Sequence, residues 1–563
     1  MYLDYTVEIP ESKGKITYRE KNGATYVYYE YDRVYDAKKK YTTVKRRTIG
    51  KVVEDDPTRM RPNEIFKKFF PEVEVPEQEQ REDATRSSCL RSGTFMAIRE
   101  VVKEYGLDKK LDEVFDPKQR GLILDFAAYS IITEGNAAQY YPDYAYNHPL
   151  FTDNMRQYSD STISDFFRDL TEDQRARFLE LWNEERSKRD KIYISYDSTN
   201  KNSEAGDIDM AEYGKAKVDT GEPIFNYAVG YDVNNREPLV YEQYPGSIND
   251  VSQLKYMVTK VKSYGYRDIG FILDRGYFSH DNLKCLDENG YDFIIMVKGI
   301  KDVVHDIIKK HKGTFESDWG SYVSEFGVYG KTVQSFVYAS DSKKRYFHLF
   351  YNSGKAAGER SRFEETIQGM QAWLDKQRDQ EREFSSTFHH YFYIHYNENT
   401  FVYAEPKLDV IREELEMCGY FAIISSEKMD FKKAIDLYKS RDASEKVFRA
   451  DKSYLGNNTL RVASSEAAAN KIFVAFIALI IRCRLYTALK DKAKEMTKKP
   501  NYLTVPAAIR ELEKIEMTRQ LDGEYRLDHA VTKTQAEILS AFNIEVSHVK
   551  YKVAYINDEL KGA

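Results

Sequence analysis

The chain has 563 residues, and a prior of one domain per roughly 100–200 residues divides it into about three to five units. Hydrophobic residues at 42% support real cores, while a net charge of −6 argues against a generic polyanion binder, so any nucleic-acid contact has to rest on local positive charge. The four cysteines, Cys89, Cys285, Cys418 and Cys483, form no C-x-x-C pair, which argues against a zinc knuckle or a disulfide framework and fits a reducing cytosol.

The N-terminus lacks the apolar stretch of a signal peptide. The longest apolar run, Ile472 to Ile481, falls far short of the roughly 20 residues that a bilayer span needs, so it reads as a buried core helix. Together these features predict a cytoplasmic protein with no membrane partner. The 45 tyrosines suit strands and equally suit contacts to nucleic acid.

Residues 1–56 alternate like strands, within a basic β-sheet domain expected over 1–70, with turns expected at Asn22-Gly23 and Asp36-Ala37-Lys38. Lys38, Lys39, Lys40, Lys45, Arg46, Arg47 and Lys51 make this a small basic sheet. It reads as a DNA-contacting surface or as an edge guarded by lysines. Residues 71–84 are acidic and proline-bearing, as a linker would be. From 85 to 188 the period is helical, and Asp160-Ser161-Thr162 is expected to cap FFRDL within a helix-turn-helix arrangement that could read DNA.

From 189 the period becomes two. KIYISYD, FNYAVGYD, EPLVYEQY, IGFILD and YDFIIMVKG read as strands, with helices at 250–263 and HDNLKCLDENG, so 189–300 is an α/β unit. Residues 301–418 interrupt it. The unit resumes over 419–498 with the strand GYFAIISS and helices at 430–452 and 467–496, and a charged helical tail occupies 499–563.

Asp197 is expected to end its strand, and Asp274 to end another. Function gathers at the carboxyl ends of strands in open α/β sheets, and two aspartates there can share a hard divalent cation. Tyr438, Arg441, Glu445 and Lys452 recur at i, i+3, i+7 and i+14, which maps them to about 0°, −60°, −20° and −40° around one helix. An isolated stripe of this kind is usually a solvated salt-bridge face. A carboxylate flanked by cations also suits a metal site that grips a phosphate backbone.

The spacing Y-x2-R-x3-E-x6-K, unbroken at Tyr438, Arg441, Glu445 and Lys452, resembles the signature of insertion-sequence family four and its relatives among DDE transposases. YDSTN at 196–200 and LDRGYFS at 273–279 are similar to that family's two aspartate motifs, and YEQYPGSINDVSQL at 241–254 to its proline-glycine segment. FVAFIALIIRCRL at 473–485 is similar to the helix after the glutamate. One position departs, with Asn470 where the family pattern has a histidine.

The resemblance implies a ribonuclease H-like core, with Asp197 on the first strand, Asp274 on the fourth and Glu445 on a later helix, interrupted by a β-rich insertion domain at 301–418. It implies two Mg²⁺ per active site (with Mn²⁺ able to substitute) held by these three acids, which cut and join DNA without a covalent protein intermediate. Tyr438, Arg441, Lys452, Arg275, Lys45, Arg46 and Arg47 would contact DNA. Trp319 and Trp373 are candidates for stacking a flipped base or a hairpin end. The partners would be double-stranded DNA, as transposon ends and target, and a second copy of the chain, with 499–563 as a dimerisation region. The alternative is an inactive or domesticated relative that only binds DNA. A hydrolase built on paired carboxylates leaves the cations around Glu445 unexplained.

Overall fold

The computed structural model describes residues 2–561 apart from 4, 13–14, 22, 37–40, 54, 74–85, 203–207, 215–221, 249, 298–301, 463 and 498–499. Asn22, the turn at Ala37-Lys38, Lys38 to Lys40 and most of the acidic 71–84 linker therefore lie outside the described residues. The chain divides into two compact units, residues 1–87 and 88–563.

The first unit is an antiparallel sheet of β1 (Val7–Glu8), β2 (Ile16–Lys21), β3 (Ala24–Asp36), β4 (Tyr41–Val53) and β5 (Asp56–Pro62), in the order β1-β5-β4-β3-β2. A short helix, Glu64–Phe69, follows, and the Asn63 side chain caps it by accepting from the amides of Ile65 and Phe66. Val27, Ile49, Met60 and Phe66 form its small core.

The second unit opens with β6 (Cys89–Arg91) and a run of helices. It then builds one nine-stranded sheet from β7 (Ile192–Asn202), β8 (Ile224–Asp232), β9 (Glu237–Pro245), β10 (Ile269–Leu273), β11 (Asp292–Met296), β12 (Tyr322–Val323), β13 (Val328–Ser335) and β14 (Arg345–Tyr351). The hairpin of β15 (Phe392–Asn397) and β16 (Thr400–Pro406) stands apart, and β17 (Tyr420–Ser425) completes the large sheet. Its order is β12-β13-β14-β17-β11-β10-β7-β8-β9. β7, β8 and β9 form an antiparallel meander, whereas β10 lies parallel to β7 and β11 parallel to β10. The helices Asp250–Ser263 and His280–Glu288 make the crossovers. β10 is buried along its whole length, as a strand covered on both faces must be.

The expectation of a separate β-rich insertion at 301–418 needs correcting. β17 lies antiparallel to β11 and offers its other edge to β14, with Phe347 opposite Ile424 and Leu349 opposite Ala422. The apolar strand RYFHLFY therefore extends the main sheet, and β13 and β12 follow it outward. The part that forms a satellite is the β15–β16 hairpin with the helix Ser353–Asp375, around Leu374, Phe384, Phe392 and Phe401.

The helical region and the tail are likewise not separate. β6 pairs with β18 (Glu516–Arg519), which pairs with β19 (Tyr525–Leu527). Both regions share one core with the helix Ser465–Glu495. That helix is long and apolar enough to cross a membrane by length and composition, and 89% of its most apolar window is buried inside the fold, as a core helix requires.

Helices Asp160–Asp169 and Glu172–Glu184 follow one another in the chain, and the first is capped by Ser159 rather than Asp160. Their buried Phe166, Phe167, Phe178 and Trp182 face the same core. Asn470 has a structural task here. Its side-chain amide donates to the carbonyls of Phe167 at 2.9 Å and Leu170 at 2.7 Å, and its oxygen accepts from Arg175. It thus closes the C-terminal end of the Asp160–Asp169 helix, satisfying carbonyls that the helix itself cannot. Asn470→Leu should strand these buried acceptors and cost about 2–4 kcal/mol in chemical denaturation, with the sheet's own chemistry unchanged per folded molecule.

Candidate active site

The sheet register brings the two aspartates together. The last parallel pair between β10 and β7 is Leu273 opposite Tyr196. Asp274, the first residue beyond β10, therefore falls beside Asp197. Asp197 does not end its strand as expected: β7 runs on to Asn202, paired with β8 from Asp197–Val229 to Asn202–Ile224, and Asn202 also bridges Thr459. β8 supplies the hydrogen bonds that keep the backbone extended past the acid. Asp197 Oδ1 also accepts from the Ser198 amide at 2.8 Å.

The single helix expected for the four-residue signature is three pieces. Tyr438 closes Phe431–Lys439, Arg441 stands at the junction, Glu445 lies in Asp442–Arg449, and Lys452 lies in a π-helical turn, Ala450–Tyr454. The junction tightens into i→i+3 bonds, Arg441 N to Tyr438 O at 3.2 Å and Ser444 N to Arg441 O at 2.8 Å. The π turn loosens into an i→i+5 bond, Leu455 N to Ala450 O at 3.0 Å. Lys452, in this turn, is half-buried.

Arg441 is the hub. Its Nη1 lies 3.8 Å from Asp197 Oδ2 and 3.5 Å from Asp274 Oδ1, and its Nη2 lies 3.2 Å from Glu445 Oε1. Three carboxylates, one on β7, one just past β10 and one on a helix, thus converge on one guanidinium. Burial pulls the Arg441 pKa down, but Tyr438 and the three acids together hold it above its ordinary value. Tyr438 turns inward rather than toward solvent, and its hydroxyl donates to Asp274 Oδ1 at 3.4 Å. Burial, and then Asp274, push its phenol up, against the pull of Arg441, so it remains a donor.

The donor set is oxygen-only, which suits a hard cation such as Mg²⁺ or Mn²⁺. Among the described residues no three His, Cys, Asp or Glu side chains stand as a ready cage, and the Arg441 guanidinium lies within 4 Å of all three acids. The three acids fit such a metal in their chemistry.

The remaining expected residues are dispersed. Arg275 is exposed beside Asp274. In the first unit Lys45 pairs with Asp32 at 3.1 Å and Arg46 lies 3.8 Å from the buried Glu30, while Arg47 is exposed. The two tryptophans part company. Trp319 is 84% exposed and stacked on Tyr322, with centroids 5.8 Å apart. Trp373 packs against Phe388 and Phe384 under Arg382. Sequence reading misses two buried ties between the Glu445 helix and β7, Ser444 with Ser195 and Asp451 with Lys201. A lysine on the same strand parity as Asp197 is the available signal for the second.

The family model described as transposase DDE domain matches residues 197–481, a span that begins at Asp197 and includes Asp274 and Glu445. No curated protein matches the chain. Among solved structures, one of a piggyBac transposase synaptic complex with hairpin DNA is 9% identical, with a TM-score of 0.28, over 65% of this chain and 57% of that one. That likeness is too slight to argue from.

Proposed function

Because the chain belongs to the transposase DDE domain family, we propose that it is the DNA transposase of a bacterial insertion sequence, of the kind marked by Tyr438, Arg441, Glu445 and Lys452. In this reading it binds the terminal inverted repeats in the cytoplasm, cuts the element ends and joins them to target DNA. The observation that carries it is the convergence of Asp197, Asp274 and Glu445 on Arg441. A ribonuclease H-like core is supported by the chain order of the sheet: Asp197 lies on β7, its first strand, and Asp274 directly follows β10, its fourth.

Two divalent ions bound by these acids would supply activation of the attacking oxygen and stabilisation of the leaving 3′ oxygen. The protein's own part is to hold the acids and to orient DNA. Asp197 and Asp274 are fixed by register, and Glu445 by its helix. Tyr438 restrains the Asp274 carboxylate through its hydroxyl. Arg441, freed from the acids, has a planar fork suited to a phosphate beside the cut, with Arg275 and Lys452 as further phosphate contacts. Joining two ends calls for two copies of the chain. Linear DNA carrying the terminal sequences that flank the gene, incubated with Mg²⁺ or Mn²⁺, should be nicked at the element boundary. Cutting that persists in EDTA would sink the reading.

Two further expectations follow from exposure. Trp319→Ala should leave thermal stability unchanged and weaken the end complex by about 1–3 kcal/mol in a binding titration, the worth of one stacked base. Trp373→Ala should instead lower thermal stability. Deleting residues 1–87, a unit compact in itself, should reduce the slope of log K against log salt by about 0.9 for each DNA phosphate that this unit neutralises. Since Lys45 and Arg46 are engaged by Asp32 and Glu30, Arg47→Ala should account for one whole phosphate. An unchanged slope would remove this sheet from the DNA interface.

A further inference from the structure

The helix that carries Glu445 is tied to the strand that carries Asp197 at two points. At one, the buried hydroxyls of Ser444 and Ser195 bond at 2.6 Å. At the other, Asp451 in the π-helical turn pairs with Lys201 of β7, both side chains 1% exposed. Ser195 and Lys201 bracket Asp197 along the strand, as Ser444 and Asp451 bracket Glu445 along the helix.

The second tie is fully satisfied. Lys201 Nζ also donates to the Asn457 carbonyl at 3.1 Å and lies 4.7 Å from the Tyr227 ring centroid. Asn457 Nδ2 donates to Asp451 Oδ1 at 3.0 Å, and Asn457 Oδ1 accepts from Asn136 at 3.1 Å. Desolvation makes a buried pair of this kind a poor source of stability compared with apolar side chains of similar volume, whereas its geometry is specific. π-helical turns are rare and concentrate at functional sites. Here the turn carries the one acid that faces inward to β7 just after the helix that presents Glu445.

We propose that the buried Lys201–Asp451 pair sets the spacing between Asp197 and Glu445, so that both are positioning residues for metal binding. The inference rests on the reading of the three acids as a metal site. It makes two residues outside the three acids themselves determinants of metal affinity.

The test is a titration of the full chain with Mn²⁺ alone, read by electron paramagnetic resonance, alongside the Mn²⁺ dependence of cutting. Lys201→Met/Asp451→Leu removes both charges together and leaves neither unpaired. Asp451→Asn keeps the shape. The double variant should bind end DNA as the unaltered chain does, with Mn²⁺ affinity lowered about tenfold, as expected when support behind metal ligands is removed. The Mn²⁺ needed for half-maximal cutting should rise by the same factor, and Asp451→Asn should show a smaller shift of the same sign.

A pair with only a structural role would change the thermal midpoint and leave the Mn²⁺ affinity of folded molecules untouched. That result overturns the proposal. Should the double variant not fold, Asp451→Asn decides by the same criterion. Mn²⁺ binding that survives Asp197→Asn in an otherwise unaltered chain overturns the metal-site reading and the proposal with it, and it is recognisable because the buried pair is intact.

Discussion

Asp197→Asn, Asp274→Asn and Glu445→Gln are each expected to lower DNA cutting by about 10³-fold or more while leaving affinity for end DNA within about twofold. A bound metal ion contributes several kcal/mol of charge stabilisation in the transition state, and each 1.36 kcal/mol is tenfold in rate. Affinity, by contrast, rests mainly on backbone phosphate contacts that these side chains do not make. The amide variants keep the shape of the acids, and Asn at 197 can still accept the Ser198 amide, so the loss reads on charge rather than folding. Loss should be near complete at all three positions although Glu445 is 56% exposed and Asp197 only 14%. A salt-bridge face would instead show effects that scale with burial.

Arg441→Gln is expected to move two readouts in opposite directions. One guanidinium sits within 4 Å of all three acids, so an incoming divalent ion competes with it. Attraction between unit charges 4 Å apart is about 4 kcal/mol at an effective dielectric near 20, and solvent exposure at Glu445 discounts it heavily. Mn²⁺ affinity should therefore rise about tenfold, equivalent to about 1.4 kcal/mol. Cutting should fall about 10²-fold, because glutamine cannot grip a phosphate with a bidentate fork, and Arg441→Lys should restore only part of it. An ordinary ion pair within one helix, worth ~0.3–0.5 kcal/mol, would give a slight stability change with Mn²⁺ affinity and cutting both intact.

The two readouts explain why the site is legible in sequence while its arrangement is not. The spacing of Tyr438, Arg441 and Glu445 survives the break in the helix, because the i→i+3 bonds at Ser440–Arg441 keep a helical turn while tightening it. The π turn at Ala450–Tyr454, which carries Lys452, leaves no such periodic mark in the sequence. Asp197 reads as a strand end because polar residues follow it. The pairing of β7 with β8, made past Asp197 by residues 22–32 positions away, extends the strand. The same limit applies to β12–β14. Their alternation announces strands, but only the free edge of β17 decides that they continue the main sheet. Asn470 is visible as a departure, and its task as a helix cap depends on a helix some 300 residues earlier in the chain.

The most direct test of the central claim is Asp197→Cys, assayed for cutting of end DNA in Mg²⁺ and in Mn²⁺. A thiolate is a poor ligand for Mg²⁺ and a better one for the softer Mn²⁺. If Asp197 binds the metal that acts in cutting, the variant should be inactive in Mg²⁺ and recover part of its activity in Mn²⁺, with the unaltered chain active in both. Full cutting by the variant in Mg²⁺ would show that Asp197 is not a metal ligand and would contradict the assignment of the three acids.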